Sequence, residues 1–184
     1  MQDEILVRQL QQGDRAAFDE LYTRYRNDAL RTACLITGSR ADGEDVVQEA
    51  FVQCYQKIGQ LKDPARFKSW LWTLLTRAAW KYCRRRGREE PVAEFFEDGT
   101  ETGESALGAV LRTEQSRMLY QAVQALDEKQ RTVIVLYYYN DMPVREIARV
   151  LECREGTVKS RLFTARRNLQ KAMGHENDLE GVRV

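Results

Sequence analysis

Residues 144–162 read Val144-Arg145-Glu146-Ile147-Ala148-Arg149-Val150-Leu151-Glu152-Cys153-Arg154-Glu155-Gly156-Thr157-Val158-Lys159-Ser160-Arg161-Leu162. Val144, Ile147, Ala148 and Leu151 recur at the three- and four-residue spacing of one helix face. Glu152-Cys153-Arg154 breaks the pattern, and from Glu155 a second helical repeat begins, with Val158 and Leu162 pointing inward. Ala148 is small enough for the two helices to cross closely, and Val158, ten residues on, packs against the first. That spacing is the signature of a helix-turn-helix, which lays its second helix in a DNA major groove. The outward residues of that helix are Arg154, Thr157, Ser160, Arg161 and Thr164, with Lys159, Arg166 and Arg167 near phosphates. A helical hairpin that serves only as core is the alternative. Glu152 stands where the tight turn prefers Gly, the one residue that takes positive φ freely. The turn is therefore strained at Glu152 or of another shape.

Working outward, the rest of the chain is also helical. No stretch shows sustained period-two alternation, so strands are not expected. Asp14 caps a helix whose apolar residues include Ala17, Phe18, Leu21, Tyr22, Tyr25, Ala29 and Ala33, and Gly38 stops it. A second helix is expected from Asp42, with Asp45 three residues later completing a capping box and Val46, Val47, Ala50, Phe51, Cys54, Tyr55 and Ile58 forming a wide stripe. A third covers residues 67–86, and a short one covers residues 3–11. Beyond Glu89-Glu90-Pro91 the chain turns rich in Glu, Gly, Thr and Ser up to Gly108, the composition of a flexible acidic linker. Phe95 and Phe96 are the apolar exception within it. Helical periodicity returns from Thr113, and the β-branched run Val133-Ile134-Val135-Leu136-Tyr137 reads as a buried helix, because it has no strand partner. Pro143 opens the last helical pair. The expected fold is all-α: a helical domain at 1–90, an acidic linker at 91–112, a second helical domain at 113–173 carrying the helix-turn-helix, and a tail at 174–184.

Composition narrows the function. The 184 residues are 43% hydrophobic and 31% charged, with a formal net charge of +1, ordinary for a globular protein and far too apolar for a disordered chain. No run approaches the roughly 18 apolar residues of a membrane span. The acidic start Met1-Gln2-Asp3-Glu4 is unlike a signal peptide, so a cytoplasmic protein without membrane insertion is expected. Near-neutrality conceals a pattern. Residues 66–90 hold eight Lys or Arg and two acids, 91–116 six acids and one Arg, 143–173 eight Lys or Arg and three acids, and 174–184 three acids and one Arg. Alternating charge blocks of this kind point to partners. Cys34, Cys54, Cys83 and Cys153 are widely separated, and His175 is the only histidine. No metal site or cofactor is expected from that inventory, and nucleophilic catalysis has little to work with. The cysteines read as small core filler.

A helical wheel of residues 67–86, at about 100° per residue, puts Phe67, Leu71, Leu74, Leu75, Ala78 and Tyr82 on one side and Thr73, Thr76, Arg77 and Trp80 on the other. An exposed Trp beside Arg and Thr, followed by Arg84-Arg85-Arg86, has the character of a base-stacking platform with phosphate clamps. Trp70 and Trp72 read as core or interdomain packing.

Five ordered stretches together resemble the bacterial RNA polymerase sigma factors of the extracytoplasmic-function (ECF) class, in the sigma-70 family. They are GDRAAFDELYTRY (13–25), EDVVQEAFVQCY (44–55), FKSWLWTLLTRAAWKYCRRR (67–86), RTVIVL (131–136) and EIARVLECREGTVKSRLFTARRNL (146–169). The resemblance covers nearly the whole chain through Met173. It implies a factor that is not an enzyme and that directs core RNA polymerase to promoters, recognising −10 and −35 elements and opening the DNA. It further implies that the first domain binds the coiled coil of the β′ subunit through Asp45, Gln48, Glu49 and Val52, while the second binds the −35 element and the β flap. Capture of −10 bases falls to the loop at 62–68 and the helix after it, hence Lys62, Arg66, Phe67, Thr73, Thr76, Arg77, Trp80, Lys81, Arg84 and Arg85. The acidic linker would thread towards the polymerase channels or act as a passive spacer. An anti-sigma factor is the expected restraining partner.

Three other readings are open to the same residues. A dimeric helix-turn-helix regulator would need a dimerisation or ligand-sensing element, and the basic-aromatic helix before the linker does not suit it. A resolvase-type recombinase would need an α/β catalytic domain. A purely structural helical adaptor would leave the charge blocks without a purpose.

Overall fold

The computed structural model describes residues 2–86 and 114–174. Eight helices follow one another, and there is no strand among the described residues. In the first unit these are α1 (Gln2–Gln11), α2 (Arg15–Thr37), α3 (Arg40–Lys57) and α4 (Phe67–Arg86), with single 3₁₀ turns at Ile58–Gln60 and Pro64–Arg66. The second unit contains α5 (Glu114–Gln124), α6 (Glu128–Ile134) with a π-helical turn at Val135–Tyr139, α7 (Val144–Val150) and α8 (Glu155–Ala172). The acidic linker at 91–112, Phe95 and Phe96 within it, and the tail beyond Gly174 lie outside the described residues.

Local chemistry accounts for the boundaries. Asp14 caps α2 by accepting the Ala16 N–H at 2.9 Å. Gly38 ends it in the left-handed region at φ 73°, its N–H returning to the Cys34 carbonyl at 2.8 Å. The start expected at Asp42 is corrected: α3 begins at Arg40, and Ser39 is its cap, accepting the Asp42 N–H at 3.3 Å. Asp42 therefore sits in the first turn, where its charge suits the helix dipole. Gly43 is needed for close approach, since a Cβ there would lie 2.5 Å from the Cys34 sulfur. Gln11 ties α1 to the turn after α3, donating to the carbonyls of Ile58 and Leu61 at 3.0 and 2.8 Å.

The run Val133–Tyr137 is helical, as its surroundings required. Val133 to Leu136 are buried, and the turn widens to π geometry, with the Asn140 N–H reaching the Val135 carbonyl at 3.2 Å. In the helix-turn-helix, Ile147, Ala148, Val158 and Leu162 are all buried at the crossing. Glu152 adopts φ 49°, so the turn keeps the left-handed shape and Glu152 bears its strain. The Glu152 and Cys153 N–H groups return to the carbonyls of Arg149 and Ala148 at 3.2 and 2.9 Å, the double closure of a Schellman turn.

The two units pack together, and their buried side chains form one continuous apolar core. Helix α4 is covered by α2 and α3 on one side and by α6 and α7 on the other. This second cover overturns the one-sided wheel: Thr76 is 1% exposed and Ala79 fully buried, although both lie away from the first core face.

Candidate functional site

Helix α8 carries an open polar face. Arg154, Lys159, Ser160, Thr164 and Arg167 are exposed, and Thr157 and Arg161 half-buried, on a helix held by Val158, Leu162 and Ala165. Arg166 departs from expectation. Its guanidinium lies over the rings of Tyr137 and Tyr138 at 5.5 and 5.6 Å, and its Nε donates to the Tyr138 hydroxyl at 2.8 Å. It is thus held against the π turn rather than free for phosphate. Phe163, absent from the expected set, is 68% exposed between Lys159 and Arg167. Its signal was a large apolar residue off the Val158–Leu162–Ala165 stripe.

On α4 the expected residues divide. Lys62, Arg66, Arg77, Lys81, Arg84 and Arg85 are exposed. Arg66 pairs with Asp63 at 3.1 Å and Arg84 donates to the Trp80 carbonyl at 3.2 Å. Phe67 is buried against Tyr25, ring centroids 5.6 Å apart, and Thr76 donates to the Trp72 carbonyl at 2.9 Å. Both belong to the core: Phe67 lies on the side the wheel gave to the core, although the resemblance placed it in the base-capture loop, and Thr76 is a seam residue that the wheel left at the surface. Thr73 is half-buried and donates to the Ser69 carbonyl. Trp80 is half-buried, its indole N–H donating to the Thr132 hydroxyl at 2.9 Å, and Arg77 pairs with Glu152 at 2.5 Å. Trp72 is fully buried, as expected of core packing.

Helix α3 presents Asp45, Gln48 and Val52 outward, Val52 at 48% exposure. Glu49 is half-buried and takes the Lys81 ammonium on both carboxylate oxygens, at 2.9 and 3.0 Å. One expected polymerase contact and one expected DNA contact are thereby joined. Beside this patch runs an open groove of about 860 Å³ between α2 and α3. Phe18, Tyr22, Phe51 and Tyr55 line it in edge-to-face pairs, Tyr22 on Phe51 at 4.8 Å and Phe18 on Tyr55 at 5.2 Å, with Arg26 over Tyr22 at 6.0 Å. Sequence reasoning assigned these rings to the core stripe. The missed signal was a pair of aromatics one turn apart on each of two neighbouring helices.

Burial pushes the Cys34 thiol up to about 11 and the Cys54 thiol to about 12, so both stay neutral and act as filler. Cys83 and Cys153 are half-buried, and burial raises Cys83 as well. Among the described residues no cluster of His, Cys, Asp and Glu could hold a metal, and no helix is long and apolar enough to cross a membrane.

The profile of sigma-70 region 2 matches residues 21–89 and that of sigma-70 region 4 matches residues 116–169. The chain is 34% identical over 181 residues to the RNA polymerase sigma-H factor of Pseudomonas aeruginosa, covering 94% of each chain. It is 32% identical over 179 residues to the ECF RNA polymerase sigma-E factor of Haemophilus influenzae, covering 91% of this chain and 93% of the other. Two solved structures share the fold. CnrH, in complex with the cytosolic domain of CnrY, aligns with a TM-score of 0.70 at 24% identity, over 95% of this chain and 98% of that one. The sigma factor RpoE of Bartonella quintana, in complex with the anti-sigma factor NepR, aligns with a TM-score of 0.66 at 22% identity, over 86% and 98%. With both regions matched in order and relatives named as RNA polymerase sigma factors aligned over more than nine-tenths of the chain, it belongs to the ECF class of bacterial RNA polymerase sigma factors, in the sigma-70 family.

Proposed function

We propose that this sigma factor divides its work among three surfaces. Helix α8 reads the −35 element, with Arg154, Thr157, Ser160, Arg161 and Thr164 at base edges and Lys159 and Arg167 at phosphates. Phe163 adds an apolar contact of the kind that fits a thymine methyl group. The α4 face with the loop at 62–68 takes the −10 element, using Lys62, Arg66, Arg77, Lys81, Arg84 and Arg85 for phosphates and Trp80 for stacking. Asp45, Gln48, Glu49 and Val52, extended by the aromatic groove, dock the β′ coiled coil, an acidic-apolar surface meeting a basic-apolar one. The second unit meets the β flap, and an anti-sigma factor restrains the chain, as CnrY and NepR accompany the solved relatives.

The chain performs no covalent step; it binds and melts. Trapping bases unstacked offsets an opening cost of a few kcal/mol per base. The observation that carries the reading is the exposed, cationic face of α8 on a helix fixed by the buried Ala148–Val158 crossing.

Paired variants test it. Arg161→Ala is expected to lower −35-dependent transcription by about 1–3 kcal/mol, roughly 5- to 150-fold, at unchanged melting temperature and polymerase affinity. Val52→Asp is expected to weaken co-purification with core polymerase and leave duplex DNA binding intact. A loss of thermal stability in Arg161→Ala, or equal loss of both activities in each variant, would defeat the division of surfaces.

A further inference from the structure

Helix α8 lies on α6 and α7 by an apolar stripe, Val158, Leu162 and Ala165 buried and Leu169 partly so. Apolar attraction has no direction, so a stripe alone resists separation better than it resists rotation about the helix axis. Two polar ties flank the stripe. On one side the Arg166 guanidinium fills the corner between Tyr137 and Tyr138, 5.5 and 5.6 Å from their centroids, where the rings stand 5.0 Å apart and inclined at 78°. Its Nε donates to the Tyr138 hydroxyl at 2.8 Å, and its Nη2 is shielded from solvent. On the other side the Asn168 amide donates to the Gln130 side-chain carbonyl at 3.0 Å. At about 100° per residue, Arg166 and Asn168 stand about 200° apart around α8 and so bracket Ala165 and Leu169. Their partners occupy the two ends of one element: Gln130 lies in the first turn of α6, and Tyr138 in the π turn that follows it. Two successive residues of that turn thus serve one cation, and π turns recur at functional sites.

We infer, on the assignment of α8 to the −35 element, that Arg166 is a positioning residue that determines base specificity. With Asn168 as its counterpart it sets the roll of α8, and so the aim of Thr157, Ser160, Arg161 and Thr164, which share the outward face. Side-chain tips lie about 6 Å from a helix axis, so a roll of about 10° displaces them by about 1 Å. A hydrogen bond to a base edge keeps its strength over a spread of only about 0.5 Å. A cation near a phosphate tolerates the same displacement, because its attraction is long-ranged and carries no sequence information. Loosening the roll therefore costs base discrimination before it costs attraction to the DNA backbone. Lysine cannot replace arginine here: the guanidinium plane stacks on the rings while Nε donates in that plane. The neighbouring Arg167 is exposed and has the opposite role, a charge offered to phosphate.

The test uses holoenzyme reconstituted from core RNA polymerase and the full chain, on a promoter selected from genomic fragments by that holoenzyme and on its single-base −35 substitutions. Two quantities are read: the ratio of transcription from the parent promoter to that from each substituted one, and the slope of log affinity against log salt. Arg166→Lys is expected to lower the ratio about three- to fivefold, and Arg166→Lys/Asn168→Ala about tenfold. Tyr138→Phe keeps both rings and loses one acceptor; it is expected to lower the ratio about twofold at unchanged melting temperature, which a role in folding alone would not do. Arg166→Met is expected to lower the ratio as Arg166→Lys does and leave the salt slope alone, whereas Arg167→Met lowers the slope by about one and keeps the ratio. A slope lowered by about one in Arg166→Met, with the ratio kept, would make Arg166 a phosphate ligand and overturn the inference while the −35 assignment stands. Ratios unchanged in all the Arg166 and Tyr138 variants would overturn it as well. A parent chain indifferent to every −35 substitution would overturn the assignment of α8, and the inference with it.

Discussion

Replacing Trp72 by alanine is expected to lower the unfolding free energy by about 3–5 kcal/mol, the range for emptying a fully buried aromatic site. Trp72 has no exposed surface and packs edge-on against Tyr25, centroids 5.8 Å apart. Tyr25 in turn bonds Asp3 of α1 and packs against Phe67, so the cavity would open where three elements meet. The surrounding helices cannot collapse into it without shifting α4, which carries the proposed −10 face. Trp72→Phe is expected to be far milder. The Trp72 indole N–H is buried with no acceptor, and removing an unsatisfied donor offsets part of the lost contact area. Urea denaturation of the full chain measures both. A loss below about 1 kcal/mol for Trp72→Ala would contradict the two-sided burial of α4.

Gly43→Val is expected to damage α3 by overpacking it against α2. A Cβ at Gly43 would meet the Cys34 sulfur at 2.5 Å, the Cys34 nitrogen at 3.1 Å and its Cα at 3.3 Å. The thiol can rotate, but the α2 backbone cannot, and overpacking of this kind costs about 1–3 kcal/mol. The helix that gives way is α3, which carries Asp45, Gln48, Glu49 and Val52 and one wall of the aromatic groove. Affinity for core polymerase is therefore expected to fall along with stability, whereas Arg161→Ala leaves both alone. Combining Gly43→Ala with Cys34→Ala should recover part of the loss, since it clears the sulfur and leaves only the backbone contact. Full recovery, or no loss in Gly43→Val, would show that the helices approach less closely than described.

Much of the fold was legible because its punctuation is chemical. Asp14, Gly38 and Pro143 mark helix ends by hydrogen bonding and φ alone, and the Ala148–Val158 spacing identified the helix-turn-helix together with its unusual Glu152. Most of the misreadings share a different cause: they depended on a neighbour remote in sequence. A wheel assumes one covered face, so it places Thr76 and Trp80 at the surface, whereas Thr76 is buried and Trp80 is half-buried with its indole N–H on Thr132 of α6. Phe67 falls in the loop at 62–68 to which the resemblance assigns base capture, yet it is buried against Tyr25 and Trp70, on the side where the wheel puts the core. Arg166 read as a phosphate ligand until Tyr137 and Tyr138 claimed its guanidinium. Of the groove rings, Phe51 is core as its periodicity implies, whereas Phe18, Tyr22 and Tyr55 keep one side uncovered, which periodicity does not record. The start expected at Asp42 has a local cause instead: Ser39, three residues earlier, offers the hydroxyl that caps the helix.

Charge patterning proved to have a structural meaning beyond partner choice. Arg77 and Lys81, two cations of the α4 face, are each held by an acid from another element, Glu152 and Glu49. The basic block at 66–90 thus also serves ion pairs within the chain.

The measurement that tests the central claim most directly is reconstituted transcription. Core RNA polymerase with and without the chain is given fragmented bacterial genomic DNA, and transcript 5′ ends are mapped. The account predicts sharp start sites that appear only with the chain and share sequence elements at −10 and −35, with Arg161→Ala weakening the −35-dependent sites selectively. Start sites identical to those of core polymerase alone, with the chain bound or not, would contradict it.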